Sequence, residues 1–171
     1  MTTTLEHHAS SQAVESRTGK YLVFELNGED CCVHVLKVRE IMGVQAITPV
    51  PHTPDYLKGV INLRGKVIPV VDLRLKFGMP AIEYSQRTCI IVVHAQREDT
   101  SVPLGIVVDS VTEVVSIAAS DIEDTPNFGE DAAVPFLMGM AKTKGRVKLL
   151  LDIDAVLASH ELRLKHQSIK N

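Results

Sequence analysis

Three places in the chain bring together residue types that could perform chemistry. Cys32 and His34 stand two positions apart, which on a strand puts both side chains on one face, as two metal ligands require. Cys89 and His94 combine a thiol nucleophile with a base. The segment from Gly59 to Lys66 ends in Gly-Lys, as a phosphate-binding loop does. These patterns would indicate a metal site, a nucleophilic enzyme and a nucleotide-binding protein, respectively.

None of the three patterns is complete. Zinc usually takes three or four protein ligands, and no Cys-x-x-Cys or His-x-x-x-His motif accompanies the first pair. The second pair is five positions apart, so its side chains would lie on opposite faces of a strand. A phosphate-binding loop has four residues between its glycines and Ser or Thr after the lysine, whereas five residues separate Gly59 from Gly65 and Val67 follows Lys66. We predict no catalytic residues, no metal and no cofactor.

The glycine-rich segment is informative for another reason, because its outline occurs twice. Residues 59–73 read GVINLRGKVIPVVDL, and residues 139–153 read GMAKTKGRVKLLLDI. In both copies a basic-Gly-basic triplet separates two apolar runs and an aspartate follows the second run. Glycine suits the turn and the apolar runs suit half-buried strands, so we predict the same β-hairpin in two similar halves. Asp72 and Asp152 are then predicted to be helix N-caps and not a catalytic carboxylate pair.

Arg64 stands at the predicted tip of the first of these hairpins. A guanidinium there could pair with a nearby carboxylate or project toward a partner, and its planar fork suits both uses better than a lysine does. The residues alone favour a plain exposed ion pair, which is worth less than about 1 kcal/mol.

The same hairpin carries a family resemblance. Asn62-Leu63-Arg64-Gly65 followed by Val-Ile-Pro-Val-Val-Asp-Leu at residues 67–73 resembles the signature of the CheW family, the adaptors that couple bacterial chemoreceptors to the histidine kinase CheA. Four further segments stand in the order of that family: residues 21–36, 38–41, 105–114 and 136–139. The resemblance covers roughly residues 20–157, which is nearly the whole chain.

The resemblance implies a set of partner-binding residues. In the family, the arginine of this motif pairs with the glutamate of the preceding Val-x-Glu-Ile element, so Arg64 is expected to meet Glu40. Asn62 and Gly65 belong to the same motif and are included in the expected site. Apolar residues near four further positions line a groove between two subdomains, where the helical tip of a receptor docks. By themselves these four would be ordinary core residues: Val35, Val38, Cys89 and Leu104.

Composition limits the classes of function. Hydrophobic residues make up 45%, aromatic residues 4%, and tryptophan is absent, so Val, Ile, Leu and Ala must fill the interior, which favours strands. A net charge of -3 offers no broad positive field for nucleic acid. The apolar runs are too short for a membrane helix and the N-terminus has no secretory signal, so we expect a cytoplasmic protein without direct membrane insertion. Three cysteines, two of them adjacent, do not support a disulfide scaffold.

The predicted organisation follows from local patterns. Residues 1–18 are polar and predicted to be a disordered tail. Residues 36–42 are predicted as a short helical turn or bent connection, 73–77 as one helical turn, 124–134 as a loop and 152–166 as a C-terminal helix. Apolar alternation predicts further strands at 21–26, 31–36, 87–95, 102–109 and 112–117.

The predicted fold class is mainly β. The resemblance and the repeat together imply two small five-stranded β-barrel subdomains, at about 20–80 and 87–152 and possibly interlaced, within a CheW-like domain at residues 19–158.

The implied function is that of a non-enzymatic scaffold that bridges the cytoplasmic tip of chemoreceptors to the regulatory domain of CheA, in arrays at the membrane. Two alternatives stay open. A coupling protein of a pilus, gliding or biofilm pathway would carry the same motifs, and a small enzyme using Cys and His is the rival from a different class. Cys31-Cys32 departs from the residues that the family often has in this strand, which affects the expected partner preference but not the fold.

Overall fold

A computed structural model of the chain describes residues 17–124 and 136–156. Strands dominate these residues, so the predicted mainly β class is confirmed. In the described part of the chain an α-helix follows each of the two repeated hairpins: α1 is Leu73–Lys76, and α2 begins at residue 153 and is described to residue 156. The 3-10 turns are Val35–Lys37 and Ala119–Asp121. The strands are β1 (Gly19–Leu26), β2 (Glu29–His34), β3 (Val38–Gly43), β4 (Leu57–Leu63), β5 (Lys66–Asp72), β6 (Cys89–Arg97), β7 (Thr100–Val108), β8 (Ser110–Ile117), β9 (Ile122–Glu123), β10 (Leu137–Thr143) and β11 (Arg146–Leu151).

The strands form two sheets that are interlaced in sequence. One has five strands in the order β3-β6-β7-β5-β4, and the other has six in the order β8-β1-β2-β11-β10-β9. The N-terminal hairpin β1–β2 therefore lies in the sheet that the C-terminal strands build, with β2 parallel to β11. A contiguous division of the chain between residues 80 and 87 does not describe these sheets, because β3 to β7 are inserted between the two parts of the six-stranded sheet.

Residues 38–43 differ from the expected helical turn. The helical part of this connection ends at Lys37, and Val38–Gly43 is strand β3, paired antiparallel with β6. The register shifts between Val38 and Glu40, so one extra residue is accommodated there. Burial nevertheless alternates along β3, but Glu40 takes a half-buried position and Ile41 an exposed one. A polar residue on the inner face and an apolar one on the outer face explain why the spacing did not indicate a strand.

Several strands are buried on both faces, which accounts for their nearly continuous apolar sequences. In β6, Ile91 and Val93 enter a core shared by the two sheets, whereas Ile90 and Val92 enter a second core on the far side of the five-stranded sheet. In β1 of the six-stranded sheet, Leu22 and Phe24 enter the shared core, whereas Tyr21 and Val23 enter a third core on the far side of that sheet. Each sheet therefore has its own interior, and the shared core joins the two units. The shared core contains Leu22, Phe24, Leu26, Cys31, Val33, Val71, Ile91, Val93, Leu104, Ile106, Val108 and Leu151.

The predicted internal repeat is present and extends beyond the hairpin. In β4–β5 Ile61 pairs with Ile68, and in β10–β11 Ala141 pairs with Lys148 at the equivalent position. Both hairpins pair their second strand in parallel with a neighbouring strand, β7 or β2. The five-stranded order thus corresponds strand by strand to β8-β1-β2-β11-β10. The N-terminal hairpin supplies the two strands that the C-terminal unit would otherwise lack.

The two aspartates that end the repeats have the predicted capping role. Asp72 Oδ1 accepts hydrogen bonds from the backbone N–H groups of Arg74 at 2.9 Å and Leu75 at 3.4 Å. Asp152 Oδ1 accepts the equivalent bonds from Asp154 at 3.0 Å and Ala155 at 3.3 Å. Each carboxylate satisfies backbone donors that the first helical turn cannot satisfy itself.

Three predictions fall partly outside the described residues: the tail up to residue 16, the predicted loop from residue 125 to residue 134, and the C-terminal helix beyond residue 156. In the described parts of the chain, no helix is both long enough and apolar enough to cross a membrane.

The adjacent cysteines of β2 predict how stability depends on alkaline pH. Cys31 packs in the shared core and Cys32 on the opposite face of the sheet, both as free thiols. Burial, first among the causes, raises the pKa of each thiol from 9.0 to about 12. Above pH 9 the unfolded chain releases protons that the folded protein retains, so the free energy of unfolding should fall by up to about 1.4 kcal/mol per pH unit per thiol.

Urea unfolding at a series of pH values between about 8 and about 10.5 measures this slope. The variant Cys31→Ala removes one thiol and should have a shallower slope than the native protein. Equal slopes in the two proteins would contradict the assignment.

Candidate partner-binding site at the signature hairpin

The tip of the β4–β5 hairpin is a two-residue turn. Arg64 and Gly65 adopt φ angles of 52° and 86°, and the flanking residues Leu63 and Lys66 pair with each other. Two consecutive positive φ angles define the turn whose twist matches a right-handed hairpin, and glycine at the second position carries little strain. Asn62 Oδ1 accepts a hydrogen bond from the Gly65 N–H at 3.0 Å, which closes the turn. Asn62 and Gly65 thus hold the backbone from which Arg64 projects.

Arg64 meets the glutamate that the sequence predicted. Its Nη2 donates to Glu40 Oε1 at 3.0 Å, which links the hairpin tip to β3. The arginine side chain is 74% exposed and the glutamate 24% exposed, so the guanidinium faces solvent while the carboxylate lies beneath it. The second oxygen, Glu40 Oε2, is buried without a hydrogen-bond partner in the described part of the protein. A contacting protein can therefore reach Arg64 without first displacing a covering side chain.

A pocket of about 180 Å³ lies beside this ion pair. Three cationic side chains and three apolar ones line it: Arg39, Leu63, Arg64, Lys66, Ile68 and Pro103. Because three cations and no carboxylate are among these lining residues, the pocket favours an acidic side chain with an aliphatic stem.

The four predicted groove residues all belong to the shared core but differ in exposure. Leu104 is only 3% exposed and is a core residue, while Val35, Val38 and Cys89 are half-buried against the same core. Val38 and Leu104 both pair with Val93, so they flank one position of β6. Cys89 begins that strand, about 13 Å away at 3.3 Å per residue. The structure brings Val38 and Leu104 together at the middle of β6, with Val35 in the adjoining 3-10 turn, and leaves Cys89 at the start of the strand.

The sequence reasoning missed Leu36. It lies in the 3-10 turn between Val35 and Lys37 and is 83% exposed, the highest exposure among the large apolar side chains described. One signal was available in the sequence: Leu36 is an apolar residue that precedes a lysine in a short connection between strands, which indicates an exposed position. Leu36 extends the half-buried apolar residues Val35 and Val38 onto the surface.

A second ion pair of the same kind was also missed. Lys144 occupies the place of Arg64 in the second repeat, and its Nζ lies 3.6 Å from Glu113 Oε2. Glu113 stands in β8 opposite Val23, as Glu40 stands in β3 opposite Val92. The signal was in the sequence, because Val-Thr-Glu-Val at 111–114 matches Val-Arg-Glu-Ile at 38–41.

The residues first considered for chemistry have structural contacts. The His34 ring lies edge-on to Tyr21 at 5.0 Å, and its Nδ1 accepts the Leu36 N–H at 3.2 Å. Cys32 is fully buried, and His94 Nδ1 lies 3.4 Å from Ser101 Oγ. Among the described residues, no group of three or more His, Cys, Asp or Glu side chains could hold a metal ion.

The exposed ion pair, the basic pocket and the apolar residues around Leu36 define a β-sheet protein with surfaces suited to binding other proteins. Residues 20–161 match the family of CheW-like domains. The chain is 38% identical over 156 residues to "Chemotaxis protein CheW" of Klebsiella aerogenes, covering 91% of each chain. It is 37% identical over 140 residues to "Chemotaxis protein CheW" of Rhizobium meliloti, covering 82% of this chain and 88% of that one.

A solved structure agrees with these relatives. The scaffolding protein TtCheW from Thermoanaerobacter tengcongensis superposes with a TM-score of 0.72 at 33% identity, covering 81% of this chain and 92% of that chain. The protein belongs to the CheW family.

Proposed function

We propose that this protein is a non-enzymatic scaffold that couples chemoreceptors to the histidine kinase CheA in chemotaxis. The single observation that carries the proposal is the Arg64–Glu40 pair at an exposed, rigidly closed hairpin tip. An ion pair in this position contributes little to folding. Its arrangement is suited to contact with a second protein, and the family is one of chemotaxis proteins and scaffolds.

The two units suggest separate tasks in this scaffold. The signature hairpin and its basic pocket face outward from the five-stranded sheet, where they could receive the regulatory domain of CheA. The apolar residues Val35, Leu36 and Val38 lie at the first crossover between the sheets, where the helical tip of a receptor could dock as a helix in a groove. Binding of both partners would recruit the protein to receptor arrays at the membrane.

The first measurement is assembly from purified components. The protein, CheA from the same organism and a receptor signalling hairpin should elute together in size-exclusion chromatography, with a changed rate of kinase autophosphorylation. Binding to neither partner would redirect the assignment to the kinase of another chemosensory pathway.

Arg64→Ala tests the signature pair. The free energy of unfolding should change by less than about 1 kcal/mol, because the arginine is mostly exposed. Receptor control of the kinase should fall by roughly tenfold, the effect of losing about 1.4 kcal/mol of coupling. Lys144→Ala removes the corresponding cation of the other repeat and is the matched control. Native receptor control of the kinase in Arg64→Ala would contradict the proposed role.

Val38→Asp tests the docking of the receptor helix. A carboxylate at this half-buried apolar position should weaken binding of the receptor hairpin at least about tenfold while binding of CheA is retained. Thermal unfolding of the variant and titration with each partner measure the two effects. Loss of both partners together with loss of the fold would instead assign Val38 to the core.

A further inference from the structure

The chain crosses between the two sheets at two places within the described residues. It leaves the six-stranded sheet through the 3-10 turn Val35–Lys37, between β2 and β3. It returns through the single residue Asp109, between β7 and β8. Together with the shared core and the exposed Arg87–Glu25 pair, these crossovers and the side chains that bind them hold one sheet on the other.

The crossover at Asp109 is held in place by three hydrogen bonds of this residue. Asp109 Oδ2 accepts a hydrogen bond from Arg74 Nη1 at 2.7 Å and another from the Asn27 N–H at 2.8 Å. Its own N–H donates to the Glu25 carbonyl at 3.0 Å. Arg74 is only 8% exposed and also donates through Nε to the Pro80 carbonyl at 3.0 Å. Helix α1 of one unit is thus bound to the hairpin tip of the other through buried, charge-assisted contacts.

The crossover at Val35–Lys37 is fastened at the equivalent place but more weakly. Asp154 stands two residues after its capping aspartate, as Arg74 does, and its Oδ2 accepts from Lys37 Nζ at 2.9 Å. Its Oδ1 accepts from the Gln96 N–H of β6 at 2.6 Å. The Lys37 and Asp154 side chains are 37% and 34% exposed, so water and salt screen their attraction far more than at Asp109.

We propose that these crossovers form a hinge and a latch. The Asp109 crossover is the hinge, and the Lys37–Asp154 contact is the latch whose release lets the two sheets change their relative orientation. Lys37 of the latch stands in the chain between Val35 and Val38, two of the apolar residues that pack beside β6. A protein that binds those residues would shift the equilibrium between latched and released states by its differential affinity for them. This consequence rests on the proposed function, whereas the latch itself rests on the contacts alone.

Distances between spin labels test the latch directly. Val67→Cys and Val147→Cys place labels at the tips of the two equivalent hairpins, where both side chains are exposed. Cys89→Ser removes the accessible native thiol, while Cys31 and Cys32 remain buried. Pulsed electron resonance on the full chain should give one narrow distance distribution for the protein with the latch intact.

Two variants release the latch with little other change. Lys37→Met keeps the aliphatic stem, and Asp154→Asn keeps an acceptor for the Gln96 N–H. Each substitution should broaden the distance distribution or add a second distance. Sodium chloride at about 1 M should have the same effect on the labelled protein with the latch intact, because it reduces the Debye length to about 3 Å. Lys144→Ala breaks a surface ion pair within one sheet and should change nothing. The proposal would be overturned if the latch variants gave the same distance distribution as the protein with Lys37 and Asp154 intact, whether both distributions were narrow or both were broad.

A binding assay keeps this result separate from the proposed function. Lys37→Met should bind CheA with native affinity but the receptor hairpin with a changed affinity, because a partner that prefers one of the two states is linked to the latch equilibrium. The receptor-controlled kinase rate should change several-fold. If the native protein binds neither partner, the proposed function is wrong, but the distances between the spin labels still test whether the latch exists. If Lys37→Met binds both partners and the kinase rate is native, the latch has no part in coupling and that consequence is overturned.

Discussion

Replacement of Arg74 by methionine is expected to lower the free energy of unfolding by about 3 kcal/mol, because it leaves the Asp109 carboxylate at the junction of the sheets without its cation. Methionine retains most of the aliphatic stem, so the loss reports the charge and hydrogen bonds more than packing. Asn27 still donates its N–H to Asp109, and Asp109 is 20% exposed. The expected loss of stability is therefore at the lower end of the range of about 3 to about 5 kcal/mol that is typical of a broken buried ion pair. Urea unfolding followed by circular dichroism measures the change.

Arg87→Met provides the comparison for this prediction. Arg87 also forms an ion pair with a residue distant in sequence, Glu25, at 3.7 Å, but its side chain is 73% exposed. Its replacement should therefore lower the free energy of unfolding by less than about 1 kcal/mol. Similar small effects of the two substitutions would show that the Arg74 contact does not hold the junction.

Gly59→Ala is expected to have an effect of at least about 3 kcal/mol, for a reason of backbone geometry. Gly59 has a φ of 141°, and a Cβ built there would lie 2.0 Å from the Thr48 carbonyl oxygen. That oxygen accepts the Val60 N–H at 2.9 Å, while the Thr48 N–H donates to the Val60 carbonyl at 2.9 Å. The added methyl group must therefore displace the chain before β4 and break this pair of bonds. Thermal and urea unfolding of the purified variant give the size of the loss.

The second repeat offers a matched control. Gly139 occupies the equivalent position, but a Cβ there would lie 2.9 Å from the Glu123 carbonyl oxygen, a much smaller overlap. Gly139→Ala should cost clearly less than Gly59→Ala. An equal cost in the two repeats would mean that the contact with Thr48 is not the cause.

Much of the local structure could be predicted from the sequence because its signals are local. The two basic-Gly-basic triplets indicated tight turns, and Arg64-Gly65 and Lys144-Gly145 have the positive φ angles that such turns require. The aspartates that end the repeated segments indicated helix N-caps, which they are. The contact between Glu40 and Arg64, 24 positions apart, came only from the family resemblance, since no local pattern joins residues at that distance.

Other features could not be predicted from local patterns. Strand β3 was hidden because Glu40 lies on its half-buried face, where it meets Arg64, while Ile41 lies on its exposed face. Leu36 has the sequence character of a core residue and is exposed, because the 3-10 turn carries it across the junction of the sheets. The partners of Arg74 were equally hidden, since Asn27 and Asp109 reach it from 47 and 35 positions away.

The sequence by itself determined where most of the strands and turns form, that two hairpins repeat, and which family the chain resembles. Each depends on the preferences of neighbouring residues. Only the tertiary structure decided that the N-terminal hairpin completes the C-terminal sheet, placing Cys32 beside Leu150 in parallel register. Many apolar strands could have paired with β2, and no single residue marks the partner. The choice follows from the burial of both faces of these strands and from backbone hydrogen bonding summed over the whole fold.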